Sequence, residues 1–428
     1  MSSPPLLDAM TETVQGSDHP GPLRGMRVLE LAQIMAGPTC GMLLADMGAD
    51  VVKVEKLPGG DDSRGYREPR VNGVSAPFMM LNRNKRGIAI DLKQPAGRDV
   101  LLRMVRNADV LTENYRRGTL EKLGLGYDVL AAANPGLIYC AISGYGRDGP
   151  YGDKGGFDLI AQGFAGLMAI TGEPGGPPVK TGSPVADINA GILATVGILA
   201  AYVHKQRTGQ GQVVDTSLME AALQQTYWQA AIHFATGVSP GPTGSAHLLT
   251  APYQAFAASD GWLNIGGANQ ANWERIADVL GHPEWRDDVR FASNSARMEN
   301  RDTLVALMNA ILGARTRAEW IDAFEQAGVP VGAVQSIGEA LAHPQTLARG
   351  MVVENTHPQA GATKTLGCPI HFSATPTRVS RAAPMLGEHT RELLREYGYS
   401  ATEIASLEAK RVVESINAVA FGPVSGGA

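Results

Sequence analysis

The sequence predicts an α/β fold, with one large domain built on a parallel sheet and a second, smaller α+β domain. Three observations predict it. Short β-branched runs alternate with helically spaced apolar residues from Met26 to Ser217, a pace that suits strand-helix-strand units and a Rossmann-like sheet covered on both faces. The stretch Gly237 to Ser245, GVSPGPTGS, then interrupts the pattern as a linker would. Finally, 428 residues are too many for a single core.

The elements follow in order. MRVLEL from Met26 reads as a strand, Pro38 opens a helix through Leu43 and Met47, and Gly48 closes it before the strand DVVKVE. IAIDL (Ile88 to Leu92), a helix over Gly97 to Val105, DVLTEN (Asp109 to Asn114) and LIYCAIS (Leu137 to Ser143) continue the alternation. In such sheets ligands bind beyond the carboxyl ends of the strands, where Ala32 to Pro38, Lys56 to Arg70, Lys93 and Asn114 fall. Phe157, Ile160, Phe164, Leu167 and Met168 have helical spacing, and a Gly/Pro-rich connector runs from Gly172 to Pro184. A second helix begins near Asp187 and passes through Ile192, Leu193, Val196, Leu199 and Val203. QVVDTS (Gln212 to Ser217) is strand-like, and a helix follows through Tyr227 to His233.

Beyond the linker, PYQAFAASDGWLNIGG reads as a hairpin about Ser259-Asp260-Gly261, leading to a helix through Trp273 and Ile276. Helices near Leu304 to Leu312 and Arg317 to Gly328 complete the smaller domain. The last third is irregular and strand-like around TLGCPIHFSATP, then closes with a helix capped by Thr390. The expected organisation is a flexible arm over 1–24, the large domain over 25–235, a linker over 236–250, the small domain over 251–336, a linker and return over 337–413, and a flexible tail over 414–428.

Composition excludes several classes. A formal charge of -5 gives no general attraction for nucleic acid or anionic membrane. The apolar run Gly191 to Val203 is too short to span a bilayer, so no membrane segment is expected. Cys40, Cys140 and Cys368 are too far apart for a disulfide framework or a zinc spacing, which fits a reducing cytoplasm and no metal. Residues 1–24 have no basic residue before Arg24 and no long apolar core, so they do not read as a secretion signal. Gly144, Gly146 and Gly149 match GxGxxG after a strand, but Pro150 follows where a dinucleotide site needs a helix. There is no Walker sequence, GxSxG elbow or HExxH.

Two features point to chemistry. Between Lys53 and Lys93 nine basic residues face five acidic ones, which suits a phosphate-bearing ligand or a solvated basic face. Asp187 stands alone between two apolar helix patterns. It can cap the second helix, whose dipole would keep it ionised, and an ionised carboxylate on backbone donors is also a nucleophile toward an acyl group.

Gly25-Met26-Arg27-Val28-Leu29 with Ala36-Gly37-Pro38, the run Gly48 to Glu55, Asn84-Lys85-Arg86, NPGLIY at Asn134 to Tyr139, TGQGQVVD at Thr208 to Asp215, and PMLGEHTREL at Pro384 to Leu393 form an ordered set. In that order they resemble the class III coenzyme A transferases, which include formyl-CoA transferase, over about Leu23 to Val413. The resemblance implies that Asp187, in PVADINAG, is the nucleophile that carries CoA as a thioester, and that Gly266 and Gly267 belong to a loop covering the intermediates. The plain alternative for these glycines is a strand-to-helix turn. The resemblance also assigns CoA contacts to Ile34, Met35, Ala36, Lys56, Ile90, Leu92, Lys93, Asn114, Lys122, Phe157 and Asp158. Lys56 and Lys122 stand where relatives can carry arginine, exchanging a bidentate phosphate contact for a point charge.

The implied ligands are an acyl-CoA and a small free carboxylic acid, with no permanently bound cofactor. The implied assembly is an interlocked homodimer. The related α-methylacyl-CoA racemase needs a histidine thirty residues before the aspartate, and Phe157 occupies that position here, which favours transfer. Met35, where formyl-CoA transferase carries glutamine, suits a longer acyl group than oxalate, such as succinate or another C3 to C5 dicarboxylate. His233 and His247 read as packed or surface residues. A non-catalytic CoA-binding protein on the same fold is the alternative of another class.

Overall fold

Seven strands form the central sheet of the computed structural model, which describes residues 21–416. Most of the arm over 1–24 and of the tail over 414–428 therefore lies outside the described residues. In chain order the strands are β1 (Arg27–Glu30), β2 (Asp50–Glu55), the short pair β3 (Arg70–Val71) and β4 (Val74–Ser75), β5 (Arg86–Ile90), β6 (Val110–Glu113), β7 (Ile138–Ser143), β8 (Val213–Ser217), β9 (Tyr253–Ala258), β10 (Gly261–Gly266), β11 (Val331–Ala333), β12 (Val352–His357), β13 (Gly361–Leu366) and β14 (Val413–Glu414). The chain divides into two compact units. One comprises residues 1–165, 182–225 and 347–428, and the other residues 166–181 and 226–346.

In the larger unit the sheet order is β14-β5-β2-β1-β6-β7-β8. Every neighbouring pair is parallel except β14 with β5. The antiparallel edge was not foreseen, because a two-residue strand carries no periodicity of its own. Register aligns Glu30 with Lys53 and Thr112, and Glu55 with Ala89, so the carboxyl ends of β1, β2, β5 and β6 share one edge. The strands β1, β2, β5, β6 and β7 are buried nearly throughout; Leu29, Val52, Ile88, Leu111 and Tyr139 share a core with Val100, Leu101 and Met104 from the Pro95–Val105 helix. Each such aliphatic side chain contributes about 1.5–3 kcal/mol through burial.

The helix expected near Asp187 runs from Val185 to Thr208, longer than the apolar run suggested. Among the described residues it is the one helix long and apolar enough, by length and composition, to cross a membrane. It covers the sheet instead: Ala190, Ala194, Ile198 and Ala201 are buried, and a side chain at Gly197 would meet Val214 of β8 at 2.6 Å. The helical spacing over Phe157 to Met168 proves discontinuous. The first piece, Asp158–Phe164, ends before Gly166, whose φ of 82° is left-handed, and Leu167–Ile170 follows as a separate turn. The glycines at 144, 146 and 149 lie in turns and open no helix.

The smaller unit is α+β. β9, β10 and β11 form an antiparallel sheet with the turn at Ser259-Asp260, as the sequence indicates. Phe256, Leu263 and Ile265 pack on Trp273, Ile276, Leu304, Met308, Trp320 and Phe324 from its helices. The indole N–H of Trp320 donates to Leu312 O at 2.8 Å, satisfying the polar atom of a nearly fully buried ring.

Candidate functional site

The turn after β1 is held from below by buried charge. Ile34 has φ of 68°, a left-handed conformation that a β-branched residue avoids unless its surroundings impose it. They do so here through backbone bonds. Ile34 N–H lies 3.2 Å from both carboxylate oxygens of Asp61. Asn114 accepts from Gln33 N–H and donates to Gln33 O, both at 2.8 Å. Asp61 also pairs with Lys53 at 2.8 Å and accepts from Ser63 N–H and Oγ. Burial works against its charge, but Lys53 and Ser63 overcome it and hold the carboxyl at about 2. Lys53 and Lys85 both reach Glu30, so the strained turn rests on a fully buried ion cluster. Met35 occupies the N-cap position of the Ala36–Asp46 helix, and Ala36 is its buried first residue.

This cluster corrects the reading of the basic excess between Lys53 and Lys93. Lys53 and Lys85 are consumed by Glu30 and Asp61, Arg64 by Glu55, Arg83 by Asp46, and Arg86 by Asp50, Glu392 and Glu396. The ion pairs take up charge that the count offered to phosphate.

Asp187 lies in the first turn of the Val185–Thr208 helix, and it is not the cap. Pro184 holds the N-cap position without a side-chain bond, and Asp158 Oδ1 accepts from Ala186 N–H at 2.9 Å instead. The other Asp158 oxygen accepts from Gln162 Nε2 at 2.7 Å. The carboxylate of Asp187 accepts no hydrogen bond from the described residues. Burial, followed by the nearby Asp158 charge, raises it from 3.8 to about 6. Burial thus works against the charged form, but a carboxyl at about 6 is still mostly ionised at neutral pH.

One turn further, Gly191 explains how Asp187 meets the β1 turn. A Cβ there would sit 2.5 Å from Ala36 O and 2.7 Å from Thr39 Cβ, so the two helices approach at backbone distance. The Asp187 helix is thereby laid on the start of the Ala36–Asp46 helix, with Asp158 acting on Asp187 beside it. Tyr66 joins them: its hydroxyl is raised by burial and by the charges of Asp61, Asp62 and Asp187. Sequence reasoning missed both Asp61 and Tyr66. The Asp61-x-Ser63 turn was the available local signal for Asp61.

The remaining expected contacts spread along the carboxyl edge. Lys56, just past β2, is paired with Asp62 at 2.5 Å. Ile90 ends β5 and is buried, Leu92 packs on the sheet core, and Lys93 is exposed with its N–H donating to Asp91. Lys122 is exposed on the Thr119–Lys122 turn after β6. Phe157 precedes the Asp158–Phe164 helix and is 71% exposed. Asn114 has its amide committed to Gln33, so it shapes the turn.

Gly266 and Gly267 lie in the smaller unit, between the end of β10 and Asn269, which caps the Gln270–Val279 helix. Their N–H groups donate to Pro330 O and Pro252 O, and Ala268 N–H to Gly266 O, each at 2.8 Å. A side chain at Gly267 would meet Pro252 O at 2.3 Å. Locally this is a packed strand-to-helix turn whose donors are committed. Among the described residues no cluster of His, Cys, Asp and Glu could hold a metal ion.

The profile described as CoA-transferase family III matches residues 23–390. The chain is 40% identical to the succinate–glutarate CoA-transferase of Agrobacterium fabrum, over 88% of this chain and 95% of that protein. It is 36% identical to the succinyl-CoA:glutarate CoA-transferase of Mus musculus, over 93% and 91% of the two chains. Among solved structures, a CAIB/BAIF family protein from Brucella suis superposes with a TM-score of 0.80 at 38% identity, covering 88% of this chain and all of that one.

Proposed function

Because the chain belongs to CoA-transferase family III, and is a CoA transferase, we propose that Asp187 relays coenzyme A from succinyl-CoA or a similar short acyl-CoA to a free C3 to C5 dicarboxylic acid. The observation that carries this reading is Asp187 itself, a carboxyl raised to about 6 beside the strained Ile34 to Ala36 turn. The two glutarate enzymes named above support the dicarboxylate range.

In this mechanism an Asp187 oxygen attacks the donor thioester carbonyl. The carbon–sulfur bond breaks, leaving a mixed anhydride and CoA thiolate. The thiolate attacks the aspartyl carbonyl, the donor acid leaves as its carboxylate, and Asp187 holds CoA as a thioester. The acceptor carboxylate then attacks that thioester and expels CoA thiolate. The thiolate attacks the acceptor's carbonyl, forming the new acyl-CoA and freeing Asp187. No step transfers the acyl group to water, so the thioester energy is retained. A raised carboxyl is a more basic nucleophile than an ordinary one, yet still largely ionised at neutral pH.

The reading includes CoA contacts along the carboxyl edge, from the Ile34 turn through Lys56, Ile90, Leu92 and Lys93 to Lys122, with no permanently bound cofactor. It also includes a reducing cytoplasm and an interlocked homodimer. Exposed Ile192, Val196 and Val203 on the Asp187 helix support a partner surface there, and light scattering would report a dimer.

The test is to incubate the protein with succinyl-CoA and a panel of free acids, reading new acyl-CoA by mass spectrometry, with Asp187→Ala alongside. Transfer by the wild type alone, with a CoA adduct on the Asp187 peptide, is the expected result. Transfer that persists in Asp187→Ala would overturn the mechanism. Exchange of an α-hydrogen without acid acceptance would replace transfer by racemisation.

A further inference from the structure

The smaller unit has an open recess of about 600 Å³ between the starts of the Gln270–Val279 and Asn294–Glu299 helices. Arg297, only 1% exposed, lines it. Its Nε donates to Ala251 O at 2.7 Å, and its Nη1 to Phe291 O at 2.8 Å and Gln270 Oε1 at 3.1 Å. Its Nη2 donates to none of the described residues, and no carboxylate among them lies within 4 Å. Apart from these neutral acceptors, the guanidinium has the Trp273 ring 5.1 Å away, and a buried cation so held is still without a counter-ion that would relieve its cost. Desolvation accordingly pulls the guanidinium down to about 10, with Glu274 offsetting part of it from beyond 4 Å.

A second observation asks for the same charge. The N–H groups of Gln270 and Ala271, first in a ten-residue helix, have no acceptor among the described residues. Such groups form the positive end of the helix and favour an anion. Asn269, Gln270, Ser293 and Asn294 give the recess polar walls.

We propose that this recess binds a small oxyanion, the carboxylate or phosphate group of a ligand, through Arg297 Nη2 and the opening N–H groups of the Gln270–Val279 helix. The proposal rests on the smaller unit alone and stands apart from the role of Asp187. The competing role for Arg297 is a purely structural tie between Ala251, Phe291 and Gln270, which would need no ligand.

Gln270→Glu separates the two. A glutamate oxygen can keep the bond to Arg297 while supplying the missing negative charge from within the chain, although it gives up the bonds that the Gln270 amide nitrogen donates to Glu274 Oε1 and Ala292 O. Thermal unfolding of the full chain is followed while inorganic phosphate or glutarate is titrated at constant ionic strength, and selenate soaked into crystals locates the anion by its anomalous signal. The wild type is expected to be stabilised saturably, with a selenate peak at Arg297. Gln270→Glu is expected to bind at least about tenfold more weakly. Ser293→Asp, which keeps a cap acceptor for Ala296 N–H and adds charge at the rim, should weaken binding without touching Arg297. A stronger response to phosphate than to glutarate would assign a phosphate ligand, and the reverse a carboxylate. Selenate absent from the recess, or equal affinity in wild type and both variants, would overturn the proposal.

Discussion

Two carboxylates share the start of one helix and have opposite tasks. Asp158 spends its oxygens on Ala186 N–H and Gln162, whereas Asp187 accepts nothing and is raised to about 6. If Asp187 is the nucleophile, kcat/KM should rise with pH through a limb near 6, since only the carboxylate attacks. Asp158→Asn keeps an oxygen for Ala186 N–H but removes the charge, so this limb should move to lower pH without reaching 3.8, because burial is the larger cause. Asp158→Ala should also lose the cap, costing about 1 kcal/mol in urea unfolding. The raised carboxyl has a stability consequence as well. The folded chain binds Asp187's proton more tightly than the unfolded chain, so stability is lost as pH rises from 3.8 through about 6. Asp187→Asn should therefore unfold at higher urea than wild type at pH 7.5, by up to about 3 kcal/mol, and the gain should vanish near pH 4. A variant no more stable at pH 7.5 than at pH 4, relative to wild type, would show that Asp187 is not raised.

At the scale of elements, Gly191 lets the Val185–Thr208 helix touch the start of the Ala36–Asp46 helix. Gly191→Ala would place a methyl 2.5 Å from Ala36 O, inside contact distance of backbone that cannot swing away. We expect a loss of about 1–3 kcal/mol in stability and a larger fall in transfer rate than in CoA affinity, because Asp187 would shift against the Ile34 turn. Gly182→Ala, with open space around it, is the control and should change neither. Equal behaviour of the two variants would show that the approach at Gly191 is dispensable. The Ile34 turn depends on a different device. Its left-handed residue persists because Asp61 and Asn114 over-determine the backbone on both sides, so strain sits at the carboxyl edge of the sheet.

At the scale of the larger unit, the chain's return closes the sheet. β14 adds to β5, and Thr390, expected as a cap, is instead the buried first residue of its helix. Its hydroxyl donates to Glu414 O at 2.6 Å and accepts from Ala89 N–H at 3.3 Å, joining the returning segment to β5. His389 adds a pH-dependent clamp, its Nδ1 accepting from Gly87 N–H at 3.1 Å. Burial, then the neighbouring Arg381, lowers it from 6.5 to about 4. The folded chain thus binds fewer protons here than the unfolded one, so this contribution is present above 6.5 and lost as pH falls through about 4. Urea unfolding between pH 6.5 and 4.5 should show a steeper decline for wild type than for His389→Asn, which offers Gly87 an oxygen without the titration. Parallel slopes would remove His389 from the acid response.

The sequence by itself determined the strand-helix alternation, the parallel core of the sheet, the hairpin at Ser259-Asp260 and the family, through motifs kept in one order from Gly25 to Leu393. These are local properties: periodicity, β-branched runs and glycine stops act within a few residues. It also isolated Asp187, since a single acid between apolar helix patterns is visible without coordinates. Only the tertiary structure decided that Asp158, twenty-eight residues from Ala186, supplies the cap, that the basic residues after Lys53 are largely consumed by buried acids, and that β14 completes the edge. Each depends on which distant groups meet and how much water they lose, and neither partner identity nor desolvation is encoded in spacing along the chain.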